Sequence, residues 1–343
     1  MKNRILYIVI IIILLTTSNS YSSNEDTIKE QQNTFEINTF IKNSKEYVNE
    51  EIFKENDIKS IFESAIKGEI DNKTILSKIV GIFGKELKDI VGILGSILAI
   101  VVIHSILKSI SDDLENENIS KLIYYVQYIL IATIIMTNFA SIISMVKEAT
   151  INMVGFINLL VPLLTSLMLF TGSITTTSML EPALVFTINL VGNFIQNILI
   201  PIVLVIASFS IISKVSDKIQ IDKLTKFMKS GVVWSLGIAL TIFVGILSLE
   251  GNLSSSVDGV TAKTTKAVVS SAIPIVGKIL GDAVDSVLGC GIILKNAVGI
   301  VGVVIIVTIC IVPILKLTVM TVCYKLLARG LPTNCGFKNF STF

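Results

Sequence analysis

The sequence predicts an all-α, polytopic membrane protein with an N-terminal signal peptide, a small extracytoplasmic helical region and about 6–8 membrane-embedded helices whose spacing fits an inverted repeat. Three observations predict this. Hydrophobic residues make up 52% of the 343 and charged residues 16%, where a soluble domain carries roughly 25% charged residues. The mean hydropathy is +0.79. The charges are missing in blocks: beyond residue 89, six stretches of 18 residues or more hold no Lys, Arg, Asp or Glu. The N-terminus, finally, has the layout of an export signal.

That signal, 1–22, has Lys2 and Arg4 as its positive region, Ile5 to Leu15 as its apolar region and Ser18-Asn19-Ser20 as a small-x-small exit, with cleavage expected near Ser20 or Ser22. The apolar region is shorter than the span of about 20 residues that an anchor helix needs. Residues 23–89 form the one soluble-looking region. Ten Lys and fourteen Asp or Glu lie between 21 and 89. The stretch up to about Asn33 is polar enough to be disordered. Beyond it, Ile58, Ile61, Phe62 and Ala65, and then Ile75, Ile79, Ile82 and Phe83, recur at helical spacing. A signal peptide would export this region.

The membrane domain, 90–325, follows. The uncharged runs 90–107, 122–146, 231–249 and 296–315 each fit one crossing of a hydrocarbon core of about 30 Å. The runs 149–180 and 182–213 hold 32 residues each. As single helices they would measure about 48 Å, so they must tilt, protrude or break. Pro162 and Pro201 are the candidate breaks, each with an Asn four residues before it (Asn158 and Asn197). Pro274 and Pro313 repeat the spacing of 39 residues, which fits an internal duplication over 150–213 and 262–325. Glu181-Pro182 reads as a polar turn at the membrane surface. Five lysines between 214 and 230 place that segment in the cytoplasm by the positive-inside rule. An exported N-terminus followed by four simple crossings would place it outside. The conflict disappears if one 32-residue run is a re-entrant hairpin. The segment 214–230 is also amphipathic, with Ile219, Ile221, Leu224 and Phe227 able to rest on the membrane.

The candidate functional residues are few. Lys278, Asp282 and Asp285 fall at i, i+4 and i+7, one face of a helix, in an otherwise apolar stretch. They form either a charged stripe lining a membrane path or the solvated face of an interfacial helix. Ser254 to Lys266, rich in Ser, Thr and Gly, reads as a loop re-entering the membrane, since it lacks GxxxxGK[ST] and any strand to present a phosphate cradle. His104 suits helix packing better than a proton relay, with no carboxylate near it in sequence. Asn138, Asn189, Asn193, Gln196 and Asn197 are expected to hydrogen-bond between helices. Gly92, Gly95, Gly155, Gly192, Gly299 and Gly302 are expected to allow close helix approach. The net charge of +2 makes no case for nucleic acid. One His and no Cys-x-x-Cys leave no metal framework, and no catalytic constellation or cofactor motif is present. The four cysteines lie in the C-terminal third, outside the exported region.

The strings LSSSVDGVTAKTTKA (253–267), IPIVGKILGDAVDSVLGC (273–290) and LKNAVG (294–299) resemble the signature of the stage III sporulation protein AE (SpoIIIAE) family of endospore-forming bacteria. The resemblance implies a multi-pass protein of the mother-cell membrane surrounding the forespore. Its implied partners are the other SpoIIIA proteins, the lipid bilayer and, indirectly, SpoIIQ, in a channel resembling specialised secretion systems. An ATPase subunit belongs to the same machine, so energy transduction need not lie in this chain. After Tyr324-Lys-Leu-Leu the sequence ARGLPTNCGFKNFSTF departs from the family pattern, and 326–343 is expected to be an atypical tail. The resulting expectation is a non-enzymatic membrane subunit of a sporulation channel. Its rivals are a stand-alone secondary transporter and a membrane scaffold for partner proteins.

The charged stripe has a direct test. If Lys278 and Asp282 pair out of water, Asp282→Asn strands a charge at about 3–5 kcal/mol and should lower protein level more than Lys278→Met with Asp282→Leu. At an interface the pair is worth at most about 1 kcal/mol, and equal, mild effects would remove the stripe.

Overall fold

The structure, a computed structural model, describes residues 25–48, 55–68, 117–215, 221–272 and 276–330, with isolated helical positions between 80 and 109. No strand occurs among them. The signal segment, His104, Pro274 and the tail beyond Gly330 lie outside the described residues.

Three short helices come first: α1 (Glu25–Thr34), α2 (Ile37–Ser44), which runs into a 3₁₀ turn at Lys45–Tyr47, and α3 (Glu55–Lys67). Helix therefore begins at Glu25, inside the stretch expected to be disordered. Ile28 and Gln31, a turn apart, are buried, and that face holds α1. The corner between α1 and α2 is tight. The Phe35 amide donates to the Gln31 carbonyl at 3.0 Å and the Glu36 amide to Asn33 at 3.2 Å. Glu36 takes a left-handed conformation, φ 52°. Ile37, Phe40, Ile41 and Ser44 then form the buried face of α2 at the i, i+3, i+4, i+7 spacing of an amphipathic helix. In α3 the predicted periodicity holds, with Ile58 and Phe62 buried.

The membrane helices are long: α4 (Glu117–Phe170), α5 (Ile174–Phe194), α6 (Ile200–Val215), α7 (Ile221–Ala272) and α8 (Val276–Gly330). A five-residue π-helix, Ile195–Leu199, joins α5 to α6 without a break. Four apolar stretches are long enough to cross a membrane, Tyr128–Phe170, Thr176–Ser213, Ile221–Ile246 and Ser286–Val322. Helices of 52 to 55 residues measure about 78–83 Å, so α4, α7 and α8 extend well beyond a hydrocarbon core of about 30 Å.

Three expectations are corrected. The runs 122–146 and 149–170 belong to one helix, α4; Lys147 and Glu148 interrupt the apolar pattern without interrupting the backbone, because both side chains are exposed. The run 149–180 is divided between α4 and α5. The turn inside that run lies at Thr171–Ser173, not at Glu181-Pro182, which is inside α5. Gly172 decides this position. It adopts φ +90°, a conformation that glycine enters without steric cost. Its amide donates to Leu169 at 3.0 Å and the Ser173 amide to Met168 at 3.0 Å, the paired bonds of a Schellman stop. The Thr177 amide then donates to Ser173 at 3.1 Å, opening the next helix. Lastly, the Ser/Thr-rich segment after Leu249 is helical through to Ala272, not a re-entrant loop. No proline interrupts 221–272.

The other prolines behave unequally. α4 continues through Pro162 and α8 through Pro313. In hydrocarbon a helix that stopped would expose further backbone groups. At Pro201 the preceding turn widens into the π-helix, in which the Ile200 amide donates to the Ile195 carbonyl.

The chain divides into two compact units. The first combines the N-terminal helices with Asn158–Pro182 and Leu249–Ile305. Its core includes a stripe of α8, in which Cys290, Leu294, Ala297, Val298 and Val301 are fully or almost fully buried. The second unit includes Ala183–Ser248 and parts of α4 and α8. There Ile142 packs with Val319 and Met320, the Tyr128 hydroxyl donates to the Ile211 carbonyl at 2.8 Å, and Gly192 lies against Val154.

Gly172→Val should cost about 1–2 kcal/mol, since a β-branched residue is strained at positive φ. Its thermal midpoint in detergent should fall, while Gly299→Ala, with open space at its Cβ, should not lose stability. Equal midpoints for the two variants would contradict the glycine stop.

Candidate functional site

The site with the most specific geometry lies in the first unit, where the N-terminal helices meet the ends of the membrane helices. α1 supplies Gln31. Its side-chain Nε2 donates to the Val287 carbonyl of α8 at 3.0 Å. Gln31 is 7% exposed, and its Oε1 has no hydrogen-bond partner among the described residues. The corner after α1 supplies Phe35, whose ring meets Phe170 edge to face, with centroids 5.3 Å apart and planes at 73°. Phe170 is the last residue of α4. Its ring in turn occupies the space over Gly291 of α8: a Cβ there would come within 2.7 Å of the ring. Ten residues down α4, Leu160 packs against Gly302 in the same manner, at 2.7 Å.

The junction is a packing contact. It combines one amide-to-carbonyl bond, one aromatic pair and glycine-lined gaps that accept large side chains. The Val287 carbonyl accepts a side-chain donor inside a helix, which ties α1 to one level of α8. The stacked contacts fix which end of the membrane helices the N-terminal region covers: the Thr171–Ser173 turn and the part of α8 around Val287–Gly291 lie at that same end. Gln31, Phe35, Phe170 and Gly291 escaped the sequence reading. A signal for Gly291 was present in the small residues Gly289-Cys290-Gly291; nothing local marked the other three.

Lys278, Asp282 and Asp285 lie in the first turns of α8, N-terminal to Val287, and the helical backbone puts them on one face. Three of the polar residues of the apolar runs have a side-chain bond within their own helical stretch. Asn138 Nδ2 donates to Ile134 at 2.8 Å, Asn189 Nδ2 to Val185 at 2.7 Å, and Asn197 Nδ2 to Asn193 Oδ1. Each reaches one turn back along its own helix. Gly192 and Gly302 make the close approaches expected of them, whereas Gly92, Gly95 and Gly299 face open space. Among the described residues no group of three or more His, Cys, Asp or Glu is placed to hold a metal.

Truncating Phe35 and Phe170 singly and together measures the junction. An aromatic pair of this geometry is worth about 0.5–1.5 kcal/mol beyond its buried area. Phe35→Ala should speed proteolytic cleavage within 25–67 of the purified full chain, and Phe170→Ala should add little to it. Additive effects would show that the rings do not couple.

Comparison with known proteins adds family information. Residues 56–330 match the family model described as stage III sporulation protein AE. The chain is similar to the stage III sporulation protein AE of Bacillus subtilis (strain 168), 30% identical over 236 residues, which are 69% of this chain and 59% of that protein. It thus spans about three fifths of the length of the curated relative it matches. No solved structure matches.

Proposed function

We propose that this chain, which belongs to the stage III sporulation protein AE family, is a non-catalytic membrane subunit of the SpoIIIA–SpoIIQ channel between mother cell and forespore, seated multi-pass in the mother-cell membrane that surrounds the forespore. The observation that carries the reading is the coincidence of the family match over 56–330 with four long apolar helices. The other SpoIIIA proteins are its partners, and SpoIIQ is reached through them.

The junction at Gln31 and Phe35 supports a topology for this subunit. With residues 1–22 acting as a signal peptide, α1–α3 are extracytoplasmic, and the Thr171–Ser173 turn shares their side. The continuous helix from Ile174 to Val215, about 63 Å long, then crosses once and delivers the lysines of 214–230 to the cytoplasm, as positive charge favours. The 6–8 membrane-embedded helices of the sequence reading would include 90–107, where only isolated positions are described.

A stand-alone transporter is the second reading, supported by the repeated proline spacing; within it Pro201 and Pro313 would occupy equivalent positions, yet only Pro201 follows a π-helix. Expression of the chain in a sporulating host lacking its own SpoIIIAE separates the two. The channel reading predicts that heat-resistant spores return, and that the chain copurifies with the other SpoIIIA proteins. Spores restored equally well when those proteins are deleted would overturn it in favour of the transporter.

A further inference from the structure

The channel reading leaves one patterned surface unused, the outward strip of α7. Burial marks the inner side of this helix. Thr225 is buried, and Ile221, Met228, Val232, Ser235 and Ala239 are half-buried, all on one side at helical spacing. On the opposite side Lys223, Phe227, Ser230 and Trp234, at i, i+4, i+7 and i+11, are exposed, and so are Lys226 and Lys229 beside them. Phe227 is 76% exposed and Trp234 71%, so both rings stand clear of the described chain. Asp222 is the one acidic residue between 221 and 249, and the three lysines keep the segment positive.

Depth gives the strip its meaning. α7 continues from Ile221 into the uncharged run that starts at Gly231 without a break. Lys229, Lys226 and Lys223 therefore lie about 3, 8 and 12 Å before that run along the axis, and Trp234 about 5 Å inside it. The headgroup layer on one side of a bilayer is about 5–8 Å deep. Lys229 and Lys226 fall within it. Lys223 stands just outside, within a Debye length of about 8 Å. Trp234 sits at the edge of the hydrocarbon, the depth that an indole ring favours. Beyond it Gly237 has open space at its Cβ and Ile238 is exposed. Cations, a hydroxyl, an aromatic ring and an open apolar surface thus follow one another along a single strip. A phospholipid presents its phosphate, ester region and acyl chain in the same order.

We infer that this strip of α7 binds an anionic phospholipid in preference to a zwitterionic one. Charge decides the occupant. A zwitterionic headgroup brings its own cation to the lysines, whereas an anionic one leaves its phosphate charge for them. Each lysine close to an anionic surface favours it about fivefold. The inference rests on the multi-pass membrane reading and needs no other SpoIIIA protein.

Trp234 is the chain's single tryptophan, so the strip carries its own reporter. The full chain is reconstituted in phosphatidylcholine vesicles containing a minor share of lipid brominated on its acyl chains, either phosphatidylglycerol or phosphatidylcholine, and quenching of the Trp234 fluorescence is measured. The brominated phosphatidylglycerol should quench with an apparent affinity at least about threefold higher. Lys223→Gln, Lys226→Gln and Lys229→Gln together should bring the two lipids level, and the same three positions changed to Arg should keep the preference. A further measurement needs no variant: the preference of the unsubstituted chain should shrink in about 1 M salt, where the Debye length is about 3 Å. Equal quenching by the two lipids overturns the proposal and leaves the lysines to an acidic segment of a partner protein. A preference that survives the triple Gln change or high salt overturns it as well, and so does an absence of quenching by either lipid. The channel reading is tested separately, by spore return and copurification, and none of these lipid outcomes decides it.

Discussion

Within hydrocarbon every backbone N–H and C=O must find its partner inside the chain, because the solvent supplies none. The rest of this structure depends on that constraint. It explains why α4 and α8 continue through Pro162 and Pro313 and why the turn before Pro201 widens into a π-helix instead of opening. The hydroxyls of the apolar helices also bond to their own carbonyls one turn back, as Thr133, Thr241 and Thr318 do at 2.7–2.8 Å. A stop can occur only where the chain itself closes the open carbonyls. Gly172 allows this, with both Schellman bonds formed.

The same constraint explains what the sequence made legible. Long blocks without charge predict membrane helices, and their all-α class follows from the solvent. Charge placement predicts less. Lys147 and Glu148 looked like the end of one span and the start of another, but a charged pair on an exposed face does not break a helix. Glu181-Pro182 looked like a turn for the same reason, and the actual turn, Thr171-Gly172-Ser173, carries no charge at all. Backbone conformation set the boundary, and hydropathy does not report it. The Ser/Thr-rich stretch after Leu249 misled in the opposite direction: its composition favours loops, yet with no proline before Pro274 nothing in it stops a helix.

The docking site was the least legible part. Gln31 and Val287 are 256 residues apart, and no local pattern pairs them. Gly291 and Gly302 matter only because Phe170 and Leu160 arrive opposite them. The amide rows were visible as residues but not as faces. Asn189, Asn193 and Asn197 lie on an exposed face of their helix, which their spacing alone did not assign.

The topology we propose has the Thr171–Ser173 turn on the extracytoplasmic side, with the continuous helix from Ile174 to Val215 carrying the lysines of 214–230 to the cytoplasm. Single cysteines at Ile174 and Ser230, both exposed positions, measure this most directly when labelled with a membrane-impermeant thiol reagent in intact protoplasts and after permeabilisation, against the unsubstituted chain. The account predicts that Ile174→Cys labels in intact protoplasts and Ser230→Cys only after permeabilisation. Labelling of both positions, or of Ser230→Cys alone, in intact protoplasts would contradict it.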